Sequence, residues 1–269
     1  MGDSGGPPLD STVAAHRSLL ATLSRGEIEL RGRVPWSSNA TFLVAVRPPP
    51  RVAGPAGRQA KSSRHQELAG NAEPVLAIYK PAKGERPLWD FPRGLWKREV
   101  AAYELSAFLG WGIVPPTTAR ADGPLGPGSI QYCVDALFDE HYFTLLETPE
   151  HRWDLRRIAV FDVVSNNADR KSGHCLIDRE GHIWGIDHGL CFHADPKLRT
   201  VIWDFAGDEI DRDLLAGLGP MASGSVPNSL TRLLGTEEVR ALTARAAALR
   251  ATARFPEPSS DFPYPWPLV

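Results

Sequence analysis

The sequence of 269 residues has few cysteines, little net charge and no long hydrophobic run. Its three cysteines are an odd number without disulfide-like spacing, which predicts free thiols, a reducing compartment and a cytoplasmic location. The formal net charge of −2 gives no general attraction to nucleic acid or to an anionic membrane. No apolar run approaches membrane-spanning length and the N-terminus lacks a signal-peptide pattern, so we expect no membrane insertion.

A chain of this length can hold two small lobes. Apolar patterns along the sequence predict both strands and helices, which indicates an α+β fold. A Pro-rich, basic stretch without periodicity predicts a flexible insertion in the first lobe. The predicted segments are a tail and short helix (1–25), the small lobe (26–135) with its insertion (47–74), the large lobe (136–255) and a Pro-rich tail (256–269).

Two aspartates lie in the stretch that carries the most chemical information, residues 161–192. Asp169 stands in Asn-Asn-Ala-Asp-Arg-Lys, and Asp187 stands in Gly-Ile-Asp-His-Gly. Between them, two short alternating apolar runs flank Asp-Arg-Glu-Gly, which predicts a β-hairpin at 175–186. A polar side chain, His174, follows Asp169 by five positions. We therefore expect the two aspartates to lie close together, one before the hairpin and one at its far end.

This layout resembles the catalytic region of the phosphatidylinositol 3-/4-kinase superfamily, in which Asp-Arg begins the catalytic loop and Ile-Asp-x-Gly supplies a metal ligand. Residues 26–250 are similar to an actinobacterial group of phosphatidylinositol-kinase-like proteins of uncharacterised substrate. The resemblance implies a two-lobed kinase-like fold, with a small antiparallel-sheet lobe that contains one helix and a larger, mostly helical lobe. It also implies a phosphotransferase that uses ATP with Mg²⁺ or Mn²⁺ and has an alcohol group as acceptor. It implies that Asp187 binds metal, that Asp169 orients the acceptor hydroxyl, and that Arg170 or Lys171 stabilises charge on the transferred group.

Two upstream segments fit the same resemblance. Val75–Lys80 is an apolar run that ends in lysine, and the following proline predicts the end of a strand. Leu95–Leu109 has an apolar face and precedes a glycine, which predicts a helix. In the resembling kinases a strand lysine neutralises the nucleotide phosphates and a helix glutamate holds that lysine. The resemblance assigns these roles to Lys80 and Glu99.

Two further segments are expected to contact nucleotide. Residues 35–40 connect the first two predicted strands and contain no glycine. Their hydroxyls and backbone amides can bind phosphate oxygens, as the serine-containing loops of the superfamily do, and the residues concerned are Ser37, Ser38 and Asn39. Residues 130–137 are expected to link the lobes and to place backbone groups against an adenine ring, at Tyr132 and Val134.

His174 departs from the family pattern, which usually has Asn there. Imidazole is a poorer ligand than an oxygen for Mg²⁺ and a better one for Mn²⁺. Three possibilities follow: the second metal is bound differently, Mn²⁺ is preferred, or His174 only forms hydrogen bonds within the loop. The departure also leaves open a nucleotide-binding pseudokinase with a regulatory role.

A different class of function, a zinc-stabilised binding protein without enzymatic activity, comes from the histidines and cysteines of the same region. Six of them fall within about twenty residues: His174, Cys175, His182, His188, Cys191 and His193. No Cys-x-x-Cys or His-x-x-x-His pair occurs among them, and adjacent residues of a strand point to opposite faces. We expect Cys175 to line the core.

The charges in the segment after Asp187, residues 190–210, indicate which class of acceptor is favoured. Kinases that act on phosphoinositides need cations near the headgroup. Here two cations stand against four acidic side chains, namely Lys197 and Arg199 against Asp195, Asp204, Asp208 and Glu209. This balance favours a protein serine or threonine, or a small hydroxylated molecule, over a phosphoinositide lipid. Nothing in the sequence indicates an oligomeric state.

Two more helices are expected outside these motifs. Residues 12–23 carry an apolar stripe near the N-terminus. Thr236 is expected to cap a helix that extends to Ala253, whose apolar stripe would pack against the large lobe.

Overall fold

The computed structural model describes residues 9–35, 37–49, 73–259 and 262–268. Most of the predicted insertion at 47–74 lies outside these ranges, and so do residues 1–8 of the predicted N-terminal segment. The chain divides into two compact units: Met1–Gly84 with Pro116–Cys133, and Glu85–Pro115 with Val134–Val269. The predicted α+β class is confirmed, since the first unit holds an antiparallel sheet and the second is mainly helical.

The first unit is a helix and a five-stranded antiparallel sheet with strand order β1-β2-β3-β5-β4. Consecutive strands β1, β2 and β3 pair as neighbours, and β5 then inserts between β3 and the edge strand β4. The elements are α1 (Leu9–Arg25), β1 (Glu27–Arg33), β2 (Phe42–Arg47), β3 (Val75–Pro81), β4 (Thr117–Arg120) and β5 (Gly128–Tyr132).

Alternation along β3 sets the two faces of this sheet. Ala77 and Tyr79 are fully buried and pack in one cluster with Leu23 of α1, so α1 covers their face. The intervening residues, among them Lys80, are less buried and lie on the opposite face. Arg120 fixes the end of the helix because its guanidinium donates to carbonyl oxygens there, one of them that of Leu23 at 2.9 Å.

The second unit contains the nine remaining helices and strands of the described residues, arranged around one large apolar core. Its helices and strands are α2 (Leu95–Phe108), α3 (Tyr142–Leu146), α4 (Arg152–Ser165), β6 (Cys175–Ile177), β7 (Ile183–Gly185), α5 (Arg212–Gly217), α6 (Gly219–Ala222), α7 (Asn228–Thr231) and α8 (Thr236–Thr252), with single 3₁₀ turns at Pro149–His151 and Ser172–His174.

Helix α2 belongs to this second unit, whereas the sequence placed it in the small lobe. The physical reason is its buried face: Ala101, Ala102 and Leu105 are fully buried in the large core together with residues of α4 and α8. The predicted helix bounds are nearly those observed, and Gly110 follows the helix in the left-handed region at φ 68°, as a C-terminal glycine does.

The start of α8 differs in detail from the prediction. Thr236 is the first helical residue, and the capping position is occupied by Gly235. Glu238 satisfies the free amide there, because its Oε2 accepts from Gly235 N at 2.8 Å. The predicted packing is confirmed, with Leu242 and Ala246 fully buried in the large core.

The predicted hairpin is confirmed. β6 and β7 pair antiparallel, and the turn closes through a bond from Gly181 N to Asp178 O of 3.1 Å. Gly181 has φ 85°, which a residue with a side chain adopts only with strain. In the described part of the chain, no helix is long and apolar enough to cross a membrane.

The three cysteines are all free thiols, and two of them are fully buried. Burial raises the pKa of the Cys175 thiol to about 12, and it raises that of Cys191 further above the usual range. Cys133 is partly exposed. Cys175 lines the core, as the sequence predicted.

Candidate active site

The loop that carries Asp169 begins where α4 ends. Asn166 takes the left-handed conformation at φ 55° and stops the helix, which asparagine tolerates better than most residues. Its side chain then binds a second segment: Nδ2 donates to His193 O at 2.9 Å and Oδ1 accepts from Lys197 N at 2.9 Å. Asn166 therefore ties the loop to the chain that follows Asp187.

Asn167 fixes the position of Asp169 itself. Its Oδ1 accepts from Asp169 N at 3.0 Å, and its Nδ2 donates to Asp162 Oδ1 at 2.9 Å. Asn167 and Asp162 are both fully buried. The backbone of Asp169 is thus connected through one amide side chain to a buried carboxylate in α4.

The carboxyl group of Asp169 is only partly exposed, at 27% of its side-chain surface. Desolvation raises its pKa to about 6, and the negative charge of Asp187 adds to the rise, while Lys171 opposes it. Lys171 Nζ lies 3.6 Å from Asp169 Oδ2. A carboxylate whose pKa lies close to neutral can accept a proton from a substrate, which is the property that general-base catalysis requires.

Asp187 lies directly after the hairpin and is more exposed, at 48% of its side-chain surface. Its φ of 59° is in the left-handed region, which is uncommon for a residue other than glycine and is frequent at functional sites. Ile186 N donates to His174 O at 3.0 Å, so the segment with Asp187 is bonded to the loop with Asp169. The predicted proximity of the two segments is confirmed.

His174 faces both aspartate segments. Its Nδ1 lies 2.9 Å from Asp169 O and 3.3 Å from Lys171 N, so the backbone of the Asp169 loop holds this side of the ring. Its Nε2 lies 3.4 Å from Asp187 Oδ2. The tautomer with its proton on Nδ1 directs an Nε2 lone pair toward this carboxylate, an arrangement that a cation between the two atoms would stabilise.

Arg170 or Lys171 was expected to contact the transferred group, but the structure places Arg170 inside the protein. It is fully buried, and its Nε lies 2.9 Å from Asp162 Oδ2. Burial opposes its charge, but Asp162 outweighs burial and holds the pKa of the guanidinium above its usual value. A side chain enclosed in this way does not reach a bound substrate, and Lys171 remains as the cation beside Asp169.

Glu99 is buried in α2 and its Oε2 accepts from His188 N at 3.0 Å. This bond connects α2 to the residue after Asp187. Lys80 belongs to the first unit and is paired with Ser129 of β5 in the sheet register. The predicted contact between Lys80 and Glu99 therefore stays a prediction.

The predicted phosphate loop lies in the first unit and is described except for Trp36. Ser37 Oγ lies 2.7 Å from Thr41 Oγ1, which braces the loop at its base. Ala40 N donates to Gly84 O at 2.9 Å, so the loop is fixed beside the chain that leaves β3. Ser38 is exposed, and Asn39 is half-buried.

The two residues predicted to contact adenine, Tyr132 and Val134, have different surroundings. Tyr132 N donates to Pro116 O at 2.8 Å within the first unit, so this amide is already used. Its ring packs beside the core of that unit. Val134 is buried and begins the second unit's main segment.

The possible metal ligands at the candidate site are few. Within the described ranges, no group of three or more His, Cys, Asp or Glu side chains gathers as a metal site, so the zinc interpretation finds no ligand set there. His174 and Asp187 instead form a pair of possible ligands. Mg²⁺-type sites in nucleotide enzymes commonly have few protein ligands and complete their coordination with phosphate oxygens and water.

Two residues that position the site were not among those predicted from the sequence, Asp162 and Asn167. Asp162 had a recognisable signal, because it is a single carboxylate within the apolar run Ile-Ala-Val-Phe-Asp-Val-Val. Buried carboxylates are rare unless paired, so this position predicts a buried cationic partner.

Comparisons with known proteins agree with this fold. Among solved structures, the chain is similar to the Golgi casein kinase, with a TM-score of 0.55, 13% identity and coverage of 91% of this chain and 79% of that one. The same kinase with Mn/ADP bound gives a TM-score of 0.52 at 12% identity, with coverage of 89% of this chain and 75% of that one. Hydra Fam20 with sugar gives a TM-score of 0.52 at 12% identity, with coverage of 89% of this chain and 88% of that one. These values show a kinase-like fold.

A curated relative places the chain in a family. It is 38% identical over 284 aligned positions to Protein Rv2133c of Mycobacterium tuberculosis, covering 92% of this chain and 94% of the relative. The chain belongs to the same family as that protein. No family model matches the sequence, and membership of the phosphatidylinositol 3-/4-kinase superfamily stays a prediction.

Proposed function

We propose that this chain is an ATP-dependent kinase that transfers a phosphoryl group to a hydroxyl acceptor. The observation that carries the proposal is the arrangement of Asp169, His174 and Asp187, two carboxylates on bonded segments with an imidazole between them. The raised pKa of Asp169 suits a group that accepts a proton. The kinase-like fold supports the same chemistry.

The roles divide between binding and proton transfer. Asp187 and His174 would hold Mg²⁺ or Mn²⁺, which when bound neutralises phosphate charge. Asp169 would orient the acceptor hydroxyl and accept its proton, and Lys171 would offset negative charge beside it. Lys80, with Ser37, Ser38 and Asn39, would bind the nucleotide phosphates.

The acceptor is proposed to be a protein serine or threonine or a small hydroxylated molecule. Lys197, one of the two cations after Asp187, is already used: its Nζ lies 3.1 Å from Asp90 Oδ2. It also lies over the Phe91 ring, 5.7 Å from the centroid. A cation engaged in this way is a weak partner for a polyanionic headgroup, which counts against a phosphoinositide.

Nucleotide binding is the first expected result of this proposal. ATP with Mn²⁺ or Mg²⁺ should raise the thermal unfolding temperature, because a ligand at a hundredfold excess over its dissociation constant stabilises the native state by about 2.7 kcal/mol. A thermal-shift titration measures this effect, with each metal alone and ATP alone as controls. No response to any nucleotide with either metal would contradict the kinase assignment.

The metal preference should depend on His174. With imidazole as a ligand, Mn²⁺ should support more activity than Mg²⁺, and His174→Asn should shift the preference toward Mg²⁺ by restoring an oxygen ligand. The measurement is the ratio of ATP turnover with the two metals. His182→Asn is a matched control, because His182 lies in the hairpin that follows His174 and binds Gly112 O instead. An unchanged ratio in His174→Asn would remove this residue from the metal site.

The departure at His174 also favours a second candidate, a pseudokinase that binds nucleotide without transferring phosphate. The two candidates separate in one comparison. Nucleotide-dependent stabilisation together with ATP turnover that Asp169→Asn abolishes supports the kinase, whereas stabilisation without any such turnover supports the pseudokinase.

A further inference from the structure

Arg170 uses all of its guanidinium nitrogens inside the protein. Nε and Nη2 each lie 2.9 Å from an oxygen of Asp162. Nη1 donates to two carbonyl oxygens, that of His174 at 3.1 Å and that of Ile186 at 2.8 Å. Nη2 also lies 2.8 Å from His188 Nε2, which accepts because a guanidinium has no lone pair to offer.

These partners belong to the two segments of the candidate site. Arg170 follows Asp169 directly, and the carbonyl of His174 ends the same loop. Ile186 and His188 flank Asp187 on either side. One planar group therefore contacts the segment of the proposed base and both neighbours of the proposed metal ligand.

Asp162 supplies the charge that holds this group in place. It lies in α4, is fully buried, and accepts from Arg170 and from Asn167, whose Oδ1 in turn accepts from Asp169 N. The same carboxylate thus anchors Asp169 by two routes, one through Asn167 and one through Arg170. Both routes start from a regular helix, which is a rigid support for a site.

We propose that Arg170, held by Asp162, is a positioning residue that sets the separation of the Asp169 and Asp187 segments. This inference rests on the proposed kinase function and gives Arg170 a role within it other than contact with the transferred group. The geometry requires a guanidinium, since lysine has a single nitrogen and cannot reach a carboxylate, two carbonyl oxygens and an imidazole from one position.

A matched pair of substitutions tests the role, Arg170→Lys and Arg156→Lys. Arg156 lies in α4 as Asp162 does, and it also binds carboxylates and a backbone carbonyl, but these belong to Asp208, Asp211 and Glu209. Both substitutions keep the positive charge and remove the planar guanidinium with its several donors. A loss of stability is expected in both, whereas an effect on the site is expected only in Arg170→Lys.

Hydrogen exchange of the metal-free protein provides a readout that needs no nucleotide. Arg170→Lys should speed amide exchange in residues 169–175 and 186–190 together, and Arg156→Lys should leave both segments at the wild-type rate. Faster exchange in only one segment, or equal effects of the two substitutions, overturns the inference. If Arg170→Lys does not fold, Asp162→Asn, which removes the anchoring charge and keeps the side-chain shape, takes its place in the comparison.

Binding of Mn²⁺ and of ATP with Mn²⁺ supplies the functional readout. Arg170→Lys should weaken binding about 10–100-fold, as loss of groups that orient metal ligands does, with Arg156→Lys unchanged. Equal affinities for the two variants overturn the positioning role. Wild-type protein that binds neither ligand contradicts the proposed function instead, and the exchange comparison still decides whether Arg170 couples the two segments.

Discussion

Asp169→Asn is expected to lower the rate of phosphoryl transfer by about 10²–10⁴-fold, the range that general-base catalysis contributes. The amide keeps the size of the side chain but cannot accept the proton of the acceptor hydroxyl. Affinity for ATP with Mn²⁺ should stay unchanged, because the proposed metal ligands are His174 and Asp187. Turnover of ATP and calorimetric titration of the nucleotide measure the two effects separately.

A fall in nucleotide affinity as large as the fall in turnover would contradict the role given to Asp169. Lys171→Met is an informative companion, since Lys171 Nζ lies 3.6 Å from Asp169 Oδ2 and lowers the pKa of that carboxyl group. Without the lysine, the acid limb of the activity profile should move to higher pH.

The same Asp169→Asn substitution should stabilise the metal-free protein above about pH 6. The pKa of Asp169 is raised by desolvation from 3.8 to about 6, so the native state binds more protons than the unfolded state between these values. Wild-type stability therefore falls as pH rises through this window, by about 1–3 kcal/mol. The variant carries no such penalty. Its advantage should be complete at pH 7 and absent below pH 3.8 in denaturant titrations.

Asp187→Asn is expected to weaken the binding of ATP with Mn²⁺ about 10–100-fold, or about 1.4–2.8 kcal/mol. The substitution removes the negative charge that faces His174 Nε2 at 3.4 Å. Asparagine is preferable to alanine here because the φ of 59° is tolerated by asparagine, so backbone strain does not confuse the result. Affinity is measured by calorimetry at matched metal concentration.

The contrast between the two carboxylates is the critical outcome. Asp187→Asn should lose binding and turnover together, whereas Asp169→Asn should lose turnover alone. If both variants showed the same nucleotide affinity, the division of roles would be wrong. Asp178→Asn serves as a control within the hairpin, since its Oδ2 accepts from Trp184 Nε1 at 2.8 Å, away from the proposed metal ligands.

The parts of the site that follow from local sequence were predictable. The hairpin between Asp169 and Asp187 is short, its turn contains Gly181, and pairing of its strands necessarily brings its two ends together. The helix Leu95–Phe108 and the strand Val75–Pro81 were recognisable from the spacing of apolar residues.

The parts that depend on distant contacts were not predictable. The role of Arg170 follows from Asp162, Ile186 and His188, which meet it only in the folded chain. Without these partners, an arginine next to a candidate catalytic aspartate is most simply interpreted as a substrate contact. The membership of α2 in the second unit likewise depends on which core its apolar face joins, and periodicity shows the face without showing the partner.

The unequal burial of the cysteines makes the natural sequence suitable for site-specific fluorescent labelling. A maleimide reacts with a thiolate, and the buried Cys175 and Cys191 have pKa values well above the usual range, while Cys133 is partly exposed. One dye would therefore attach per chain without any cysteine being removed. It would stand between Tyr132 and Val134, the residues predicted to border adenine, so that its emission could follow nucleotide binding in real time.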